Sequence, residues 1–474
     1  MFLNRQRLIP IILFLTDVVI LFLIAAIAIF IRNFLSDIVP GFPIFSKNIS
    51  YGWWFFPIWL AILAYEGAYS RKFTFWDEVK MLWKVAFFST ITILSIFFLG
   101  KMGSSVSRTV IVLIGTISLP VFPLCRIAMK RWLVLAGILT SRVLILGANE
   151  TGQLALKALH REKNLGYQVI GFLDDIPPSK KRLIEGFKVH ACIDRIDRYL
   201  RNSDIQCLVI ALPNIERERL WHLVIRLQHK VGSVIYFPDV AGLAVMGTEL
   251  RHFFHDQAFA LEIKNNLAQP FIYFLKKMSD YVFGAMLFFF LIIPFLVLSL
   301  CIKLTSPGPA IYKQKRVGKN CKPFFCYKFR TMYQNAEERL KEMLRTDPEA
   351  RAEWNACWKL KNDPRITPLG KYLRKTSLDE LPQIFNMLKG EMSLVGPRPV
   401  TQEEIDKYYK ESASLCFSVQ PGITGLWQVS GRSNTSYDYR VSLDSWYVRN
   451  WNLWLDFVIL AKTVVVVLKK EGAR

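Results

Sequence analysis

Apolar runs constrain this chain more than any other feature. Residues 9–31, 52–69, 82–100 and 109–126 each approach the roughly 20 residues a helix needs to cross a bilayer. A fifth run, YVFGAMLFFFLIIPFLVLSLCIKL (Tyr281–Leu304), is long enough as well. No small-residue cleavage site follows the first run, so it reads as a span and not as a removable signal. The chain is therefore expected to be a membrane protein.

The flanks carry an orientation signal. Arg5 and Arg7 precede the first run, and Arg71, Lys72 and Lys80 lie between the second and third. Arg126, Lys130, Arg131 and Arg142 follow the fourth. The other two loops hold fewer cations, Arg32 and Lys47 in one and Lys101 and Arg108 in the other. Cations collect on the cytoplasmic side, which places both the N-terminus and residue 142 there. Asp17, inside the first run, is either a bundle-facing acid with a polar partner or a functional group.

The fifth run has cations at both ends: Lys276 and Lys277 before it, and Lys303, Lys313, Lys315 and Arg316 after it. Pro294 sits near its middle, where proline removes a helical hydrogen bond and clashes with the preceding turn. A re-entrant helix over about residues 279–304, broken at Ile293-Pro294, keeps both ends cytoplasmic. An ordinary kinked span would put the basic C-terminal third outside.

The formal net charge of +23 calls for an anionic partner: nucleic acid, lipid headgroups or phosphorylated substrates. The apolar runs favour the last two, so membrane lipid is an expected partner and nucleic acid is not. The eight cysteines include no CxxC, and Cys321 and Cys326 have no histidine near them. They read as reduced thiols on the cytoplasmic side and not as a zinc site.

The middle of the chain alternates strands and helices. SRVLILGANETGQLALKALHREKNLGYQVIGFLDD (Ser141–Asp175) reads strand, glycine turn, helix, strand, and IQCLVIAL (Ile205–Leu212) and SVIYF (Ser233–Phe237) read as buried strands. This order implies a Rossmann-like parallel sheet. The turn from Gly147 to Gly152 approaches the dinucleotide fingerprint, yet Asn149 stands where the second glycine lets a pyrophosphate reach the backbone. A structural or regulatory module and a nucleotide sensor both remain open.

The C-terminal third carries the chemistry. All six histidines fall between His160 and His255, so catalysis and zinc binding through histidine are excluded from Pro270 onward. No Asp-x-Asp occurs, which weakens a metal-dependent nucleotide-sugar glycosyltransferase. RKTSLDELPQIFNMLKGEMSLVGPRP (Arg374–Pro399) places Asp379 beside Glu380, just ahead of apolar residues at helical spacing, with Gly390 as a stop. Ser377 and Glu380 have the spacing of a capping box, which offers a purely structural reading of the acids. The surroundings offer a chemical one. Arg374 and Lys375 precede the acids, Arg398 lies between Pro397 and Pro399, and Lys328, Arg330, Asp363 and Arg365 stand in YKFRTM and KNDPRIT. Such cations beside two carboxylates suit a diphosphate and a divalent metal, because arginine matches phosphate oxygens and Mg²⁺ takes one or two carboxylates plus phosphates.

These motifs, with PGITGLWQVSGR (Pro421–Arg432), resemble the bacterial sugar transferases, or polyprenyl-phosphate hexose-1-phosphate transferases. The resemblance covers about residues 270–474. LRTDPEARAEWNACWKLKNDPRIT (Leu344–Thr367) and DSWYVRNWNLWLDFVIL (Asp444–Leu460) share in it, and the spans and α/β module match the long members. One departure is that such enzymes often break the re-entrant helix at Ser-Pro, whereas Ile293 here lacks the serine's hydrogen bond to a freed backbone group.

The resemblance implies a membrane protein of three parts: a four-helix transmembrane bundle (1–135), a cytoplasmic Rossmann-like module (136–265) and a mostly helical catalytic domain (266–474). It implies transfer of hexose-1-phosphate, galactose ahead of glucose, from a UDP-hexose to undecaprenyl phosphate, with release of UMP. That would be the first membrane step of O-antigen, capsule or exopolysaccharide synthesis at the bacterial cytoplasmic membrane, with the catalytic domain facing the cytoplasm. Asp379 would be the nucleophile, Glu380 the Mg²⁺ ligand, and Arg374, Arg398 and Lys328 the phosphate-binding residues. A homodimer is the default assembly. The tail Trp451–Lys470 reads as a membrane-lying helix or as a partly buried helix of the catalytic domain. The rival readings are a processive glycosyltransferase that releases UDP, and a membrane-anchored nucleotide-sensing scaffold.

Overall fold

The computed structural model describes residues 2–38, 54–100, 107–175, 183–191, 193, 196–238, 249–253, 258–262, 266–349, 351, 360, 363–431 and 436–469. Lys47, Lys101, Arg432 and much of the Leu344–Thr367 motif lie outside the described residues. The chain divides into two compact units, Met1–Val240 and Ala241–Arg474.

The first unit opens with four apolar helices, α1 (Phe2–Ile38), α2 (Phe55–Tyr65), α3 (Phe75–Leu99) and α4 (Arg108–Leu135). α1, α3 and α4 are long and apolar enough to cross a membrane. α2 has 11 residues, about 16 Å of helix, shorter than its apolar window suggests and short of a roughly 30 Å hydrocarbon core. Beyond its C-cap the chain turns at Gly67, which has a φ of +79°.

The bundle is apolar on both its inner and its outer surface. Leu21, Ile24, Leu63, Val85, Ile93 and Phe97 fill its core, while Leu15, Val19, Phe22, Leu23, Phe30 and Phe34 of α1 are exposed. A water-soluble bundle would reverse that outer face. Charge is placed inside instead. Arg126, completely buried, donates to Asp17 Oδ2 (2.5 Å), Glu78 Oε1 (2.9 Å) and the Ala68 carbonyl (2.7 Å). Lys130 Nζ joins Glu78 Oε1 at 2.6 Å. Asp17 thus has the polar partner expected of a bundle-facing acid. Arg126, which reads in sequence as a flanking cation, lies within α4 as the hub of three helices.

The α/β module follows: β1 (Ser141–Leu146), α5 (Glu150–Arg161), β2 (Tyr167–Asp174), β3 (Leu183–Ile184), β4 (Phe187–Ala191), α6 (Ile196–Asn202), β5 (Cys207–Ile210), α7 (Arg217–Gln228) and β6 (Ser233–Tyr236). The strand order is β3-β4-β2-β1-β5-β6, parallel throughout except for the β3–β4 edge hairpin. Successive residues of β1 feed opposite faces. Val143 and Ile145 pack with Leu156 and Leu159 of α5; Leu144 and Leu146 pack with Ile196 of α6 and Leu223 and Leu227 of α7. Helices on both faces explain why these strands read as continuous apolar runs.

The glycine turn is closed by its own side chains. Asn149 caps α5 by accepting from the Gly152 amide at 2.9 Å. The Asp174 carboxylate accepts from the Ala148 amide at 2.7 Å. Gly147 has a φ of +105°, and a Cβ there would collide with the Ala211 carbonyl.

The second unit contains the hairpin β7 (Glu249–Phe253) and β8 (Ala258–Glu262), the long helix α8 (Pro270–Thr305), and the ribbon β9 (Ile311–Val317) and β10 (Pro323–Phe329). Next come α9 (Ala336–Thr346), α10 (Pro368–Thr376), α11 (Gln383–Leu388), β11 (Ser393–Val395), β12 (Gly422–Thr424), α12 (Tyr437–Arg449) and α13 (Leu453–Lys469).

α8 carries Pro294 inside it and touches the domain on nearly every turn. Lys276 donates to Asp456 (2.6 Å) and to the Val395 carbonyl (3.1 Å). Asp280 accepts from the Ser393 hydroxyl (2.8 Å) and the Leu394 amide (3.2 Å). Gly284 abuts Met387, Phe288 and Phe295 both meet the Phe385 ring, and Phe295 meets Phe329. Leu291 adds to the core around Met387, and Leu298 and Ile302 to the cluster around Phe329 and Leu373. These positions recur every three or four residues and form one helical stripe. The opposite face is apolar and bare, with Phe289 75% and Ile293 70% exposed. α13 combines both readings of the tail. Leu455 and Ile459 are core residues, while Val464, Val465 and Leu468 are exposed.

Candidate active site

The two acids sit in a tight turn and not at a helix N-terminus. α10 ends at Thr376, and Ser377 adopts a left-handed conformation, φ +59°. Leu378–Glu380 then forms one 3₁₀ turn before Pro382 opens α11. The capping box from Ser377 to Glu380 is absent, because an N-cap needs extended backbone and Ser377 instead closes α10. The capping box found in this unit joins Thr401 and Glu404. Gly390 does stop α11, with a φ of +77°.

The turn is clamped from beneath. Leu378 and Leu381, on either side of the acids, pack into the cluster of Ile302, Phe329 and Leu373. The acids are therefore fixed to the end of α8 through apolar contacts.

Four of the expected side chains converge there. Lys328, on β10, donates to Glu380 Oε1 at 2.8 Å. Arg374, on α10, donates through Nε to the Thr331 hydroxyl at 3.0 Å and acts electrostatically on Asp379. Burial pushes the Asp379 carboxyl up to about 6, and the neighbouring Glu380 charge adds to that; Lys328 and Arg374 pull it back. At neutral pH such a group is ionised yet poorly solvated, a state suited to a nucleophile.

Arg398 approaches from another side. Its strand–loop segment is fastened by the Gly396 amide to the Thr424 carbonyl (3.0 Å) and by the Val317 amide to the Val400 carbonyl (2.9 Å). The guanidinium lies 5.2 Å from the Trp427 ring centre. Below it, burial raises the Asp444 carboxyl to about 7, against the Tyr409 hydroxyl and the Arg398 main-chain amide, which lower it. The buried Cys326 thiol is pushed up to about 11 by burial, and Lys328, Glu380, Arg316 and Arg398 all act on it. Arg398 and Glu380 thus share an effect on Cys326, while the ring contact of Arg398 is with Trp427. Pro294 lies apart, on the exposed side of α8.

The sequence reading names Asp363 and Arg365 but not their geometry. Arg365 forks onto both Asp363 oxygens at 2.8 and 2.6 Å, and Asp363 also acts on Arg374. Thr331, which orients Arg374, has no signal in sequence beyond its position next to Arg330 in KFRTM. A cleft of about 510 Å³ lined by Tyr408, Asp438, Trp446 and Arg449 shares no residue with this site.

Among the described residues no three His, Cys, Asp or Glu side chains form a metal cage. Two adjacent carboxylates, one of them already strained by the other's charge, do fit Mg²⁺, which binds through one or two carboxylates plus substrate phosphates.

Comparison with known proteins gives a consistent result. A family model described as bacterial sugar transferase matches residues 271–470, and one described as CoA-binding domain matches residues 64–238. The UDP-galactose-lipid carrier transferase of Erwinia amylovora is 38% identical over 472 residues, 97% of this chain and 96% of that one. The undecaprenyl-phosphate galactose phosphotransferase of Salmonella typhimurium is 41% identical, covering 85% of this chain and 84% of its own. The UDP-glucose:undecaprenyl-phosphate glucose-1-phosphate transferase of Escherichia coli is 31% identical, covering 70% and 69%. With relatives this similar along most of their length, and with the acid turn, its cations and the membrane-type helix in one unit, the chain belongs to the bacterial sugar transferase family.

Proposed function

We propose that the protein transfers galactose-1-phosphate from UDP-galactose to undecaprenyl phosphate and releases UMP. The observation that carries this reading is Asp379, half-buried beside Glu380, flanked by Lys328 and Arg374, and tied through Leu378 and Leu381 to a lipid-type helix. The Erwinia and Salmonella relatives, both named for galactose, match more of the chain at higher identity than the Escherichia coli relative named for glucose, which supports galactose.

A carboxylate oxygen of Asp379 attacks the sugar-bearing phosphorus. The bond from that phosphorus to the UMP oxygen breaks, and UMP leaves with the electron pair. A phosphate oxygen of the lipid acceptor then attacks the same phosphorus and displaces Asp379. Two steps let a soluble donor and a membrane-held acceptor visit in turn. Arg374 and Arg398 hold phosphate oxygens and stabilise the charge that grows on them. Lys328 orients Glu380. Glu380, with Asp379 beside it, would hold Mg²⁺, which supplies charge neutralisation of the diphosphate.

The membrane seat follows from α8. A perpendicular span needs about 20 residues free of the polar domain, whereas α8 meets the domain at short intervals from Lys276 to Ile302. That pattern, with cations at both ends, supports a helix that enters and returns on the cytoplasmic side.

The test is product release. Purified protein is incubated with UDP-galactose, Mg²⁺ and undecaprenyl phosphate, and UMP and UDP are assayed separately. UMP supports the proposal. UDP means glycosyl transfer and sinks it. No product with UDP-galactose but UMP with UDP-glucose corrects the sugar alone, and no product with either favours the scaffold.

A further inference from the structure

The β9–β10 ribbon has two chemically distinct faces. Its antiparallel register sets Lys313 opposite Tyr327 and Lys315 opposite Phe325, so these four share one face. The alternate residues lie on the other: Cys326 is fully buried there and Lys328 reaches Glu380. The middle of the first face is open, although Val317 and Phe329 at its ends are buried. Phe325 is 55% exposed, and Lys313 and Lys315 are exposed.

That face continues onto α8. Lys389 donates to the Tyr327 hydroxyl at 2.7 Å and stands 4.7 Å from the ring centre. Gly390, next in the chain, lies against Tyr281 of α8: a Cβ placed on Gly390 would come 2.9 Å from the Tyr281 hydroxyl and 3.8 Å from Lys277 Nζ. Lys277 in turn stands 5.8 Å from the Tyr281 ring centre. Lys277, Lys313, Lys315 and Lys389 make no ion pair within 4 Å among the described residues; Glu391 is the acid that acts on Lys389.

Lysine and tyrosine around an exposed phenylalanine, contiguous with a bare apolar helix, is the composition of a membrane-interface band. We infer that this face of the ribbon, with Lys277, Tyr281 and Lys389, is a headgroup-binding surface for anionic phospholipid. The occupant follows from charge complementarity and from continuity with the lipid-facing side of α8. The ribbon then acts as a spacer. The open middle of one face rests on headgroups, while Phe329 at its end and Lys328 beside it reach the acid turn, so the ribbon fixes the height of Asp379 above the bilayer.

The test uses the full chain in nanodiscs of mixed phosphatidylglycerol and phosphatidylcholine and does not depend on catalysis. The photo-crosslinking residue p-benzoylphenylalanine replaces Phe325, whose exposure makes the change tolerable, and in a control replaces Glu338, exposed on α9. Mass spectrometry should find phospholipid joined at position 325 and none at 338. Adducts to a second copy of this chain, or no lipid adduct at 325, overturn the inference. In the K313Q/K315Q/K389Q background, the preference of the 325 adduct for phosphatidylglycerol over phosphatidylcholine should fall by about fivefold for each lysine that contacts the leaflet. An unchanged preference would also overturn it.

Discussion

Lys328 Nζ stands 2.8 Å from Glu380 Oε1, so the lysine expected to hold a substrate phosphate is engaged with the second acid. Its charge also lowers the Asp379 carboxyl, which burial and Glu380 raise. Lys328→Met should therefore move the acid limb of the pH–rate profile upward and lower turnover about 10²-fold. Lys328→Arg should restore most of both. A variant that changed only the KM for the UDP-sugar would return Lys328 to the role of phosphate ligand.

Asp379→Asn removes the attacking oxygen's charge at an otherwise similar volume. UMP release should fall by about 10³-fold or more, and the protein–phosphosugar adduct should vanish from intact-mass spectra taken without acceptor. Substantial residual turnover would rule out Asp379 as nucleophile.

With Asp379 near 6, the rate of adduct formation should drop about tenfold per pH step below that value. Loss of fold is not the cause contributed by this group. Its folded pKa lies above the unfolded one, so its contribution to stability is present at low pH and lost as pH rises through about 6. Circular dichroism at pH 5 should therefore stay native while the rate is reduced.

Arg398→Ala should lower turnover by about 10²-fold through lost charge stabilisation. The thermal midpoint should hold, because the flanking segment is fastened by main-chain bonds from Gly396 and Val317. Loss of the midpoint together with turnover would make Arg398 a structural residue.

Arg126→Leu leaves Asp17 without its buried cation and Glu78 with Lys130 alone. Breaking a buried pair from one side costs about 3–5 kcal/mol, so the detergent-solubilised protein should melt well below the wild type. Arg126→Met combined with Asp17→Asn, which leaves Glu78 paired with Lys130, should recover much of that loss. An unchanged midpoint in the single variant would mean that water reaches the hub.

Patterns of short period were legible in the sequence. Strands β1, β5 and β6 could be read from apolar runs, and the cations of KFRTM and GPRP could be named, since both depend on residues close in the chain. Partnership was not legible. Lys328 lies 52 positions from Glu380 and Arg126 lies 109 from Asp17, and no local pattern encodes such pairs. The misleading local signal was Ser377-x-x-Glu380. The spacing suits a capping box, but the C-terminal closure of α10 needed the left-handed backbone of Ser377 more. Pro294 and its flanks suggested a helix that turns back. The side-chain stripe that holds α8 to its domain could emerge only from the tertiary fold.

That stripe sets a practical limit. Ile302 and Phe295 cover Phe329 and Leu373, and the same cluster receives Leu378 and Leu381 on either side of the acids. A truncation beginning after Thr305 would strip the apolar backing from the turn that holds Asp379, while Met387 and Phe385 would lose Gly284 and Phe288. The greasy helix cannot be shaved off to yield a soluble enzyme. Inhibitor screens and crystallisation trials will have to carry it, together with the detergent or lipid it demands.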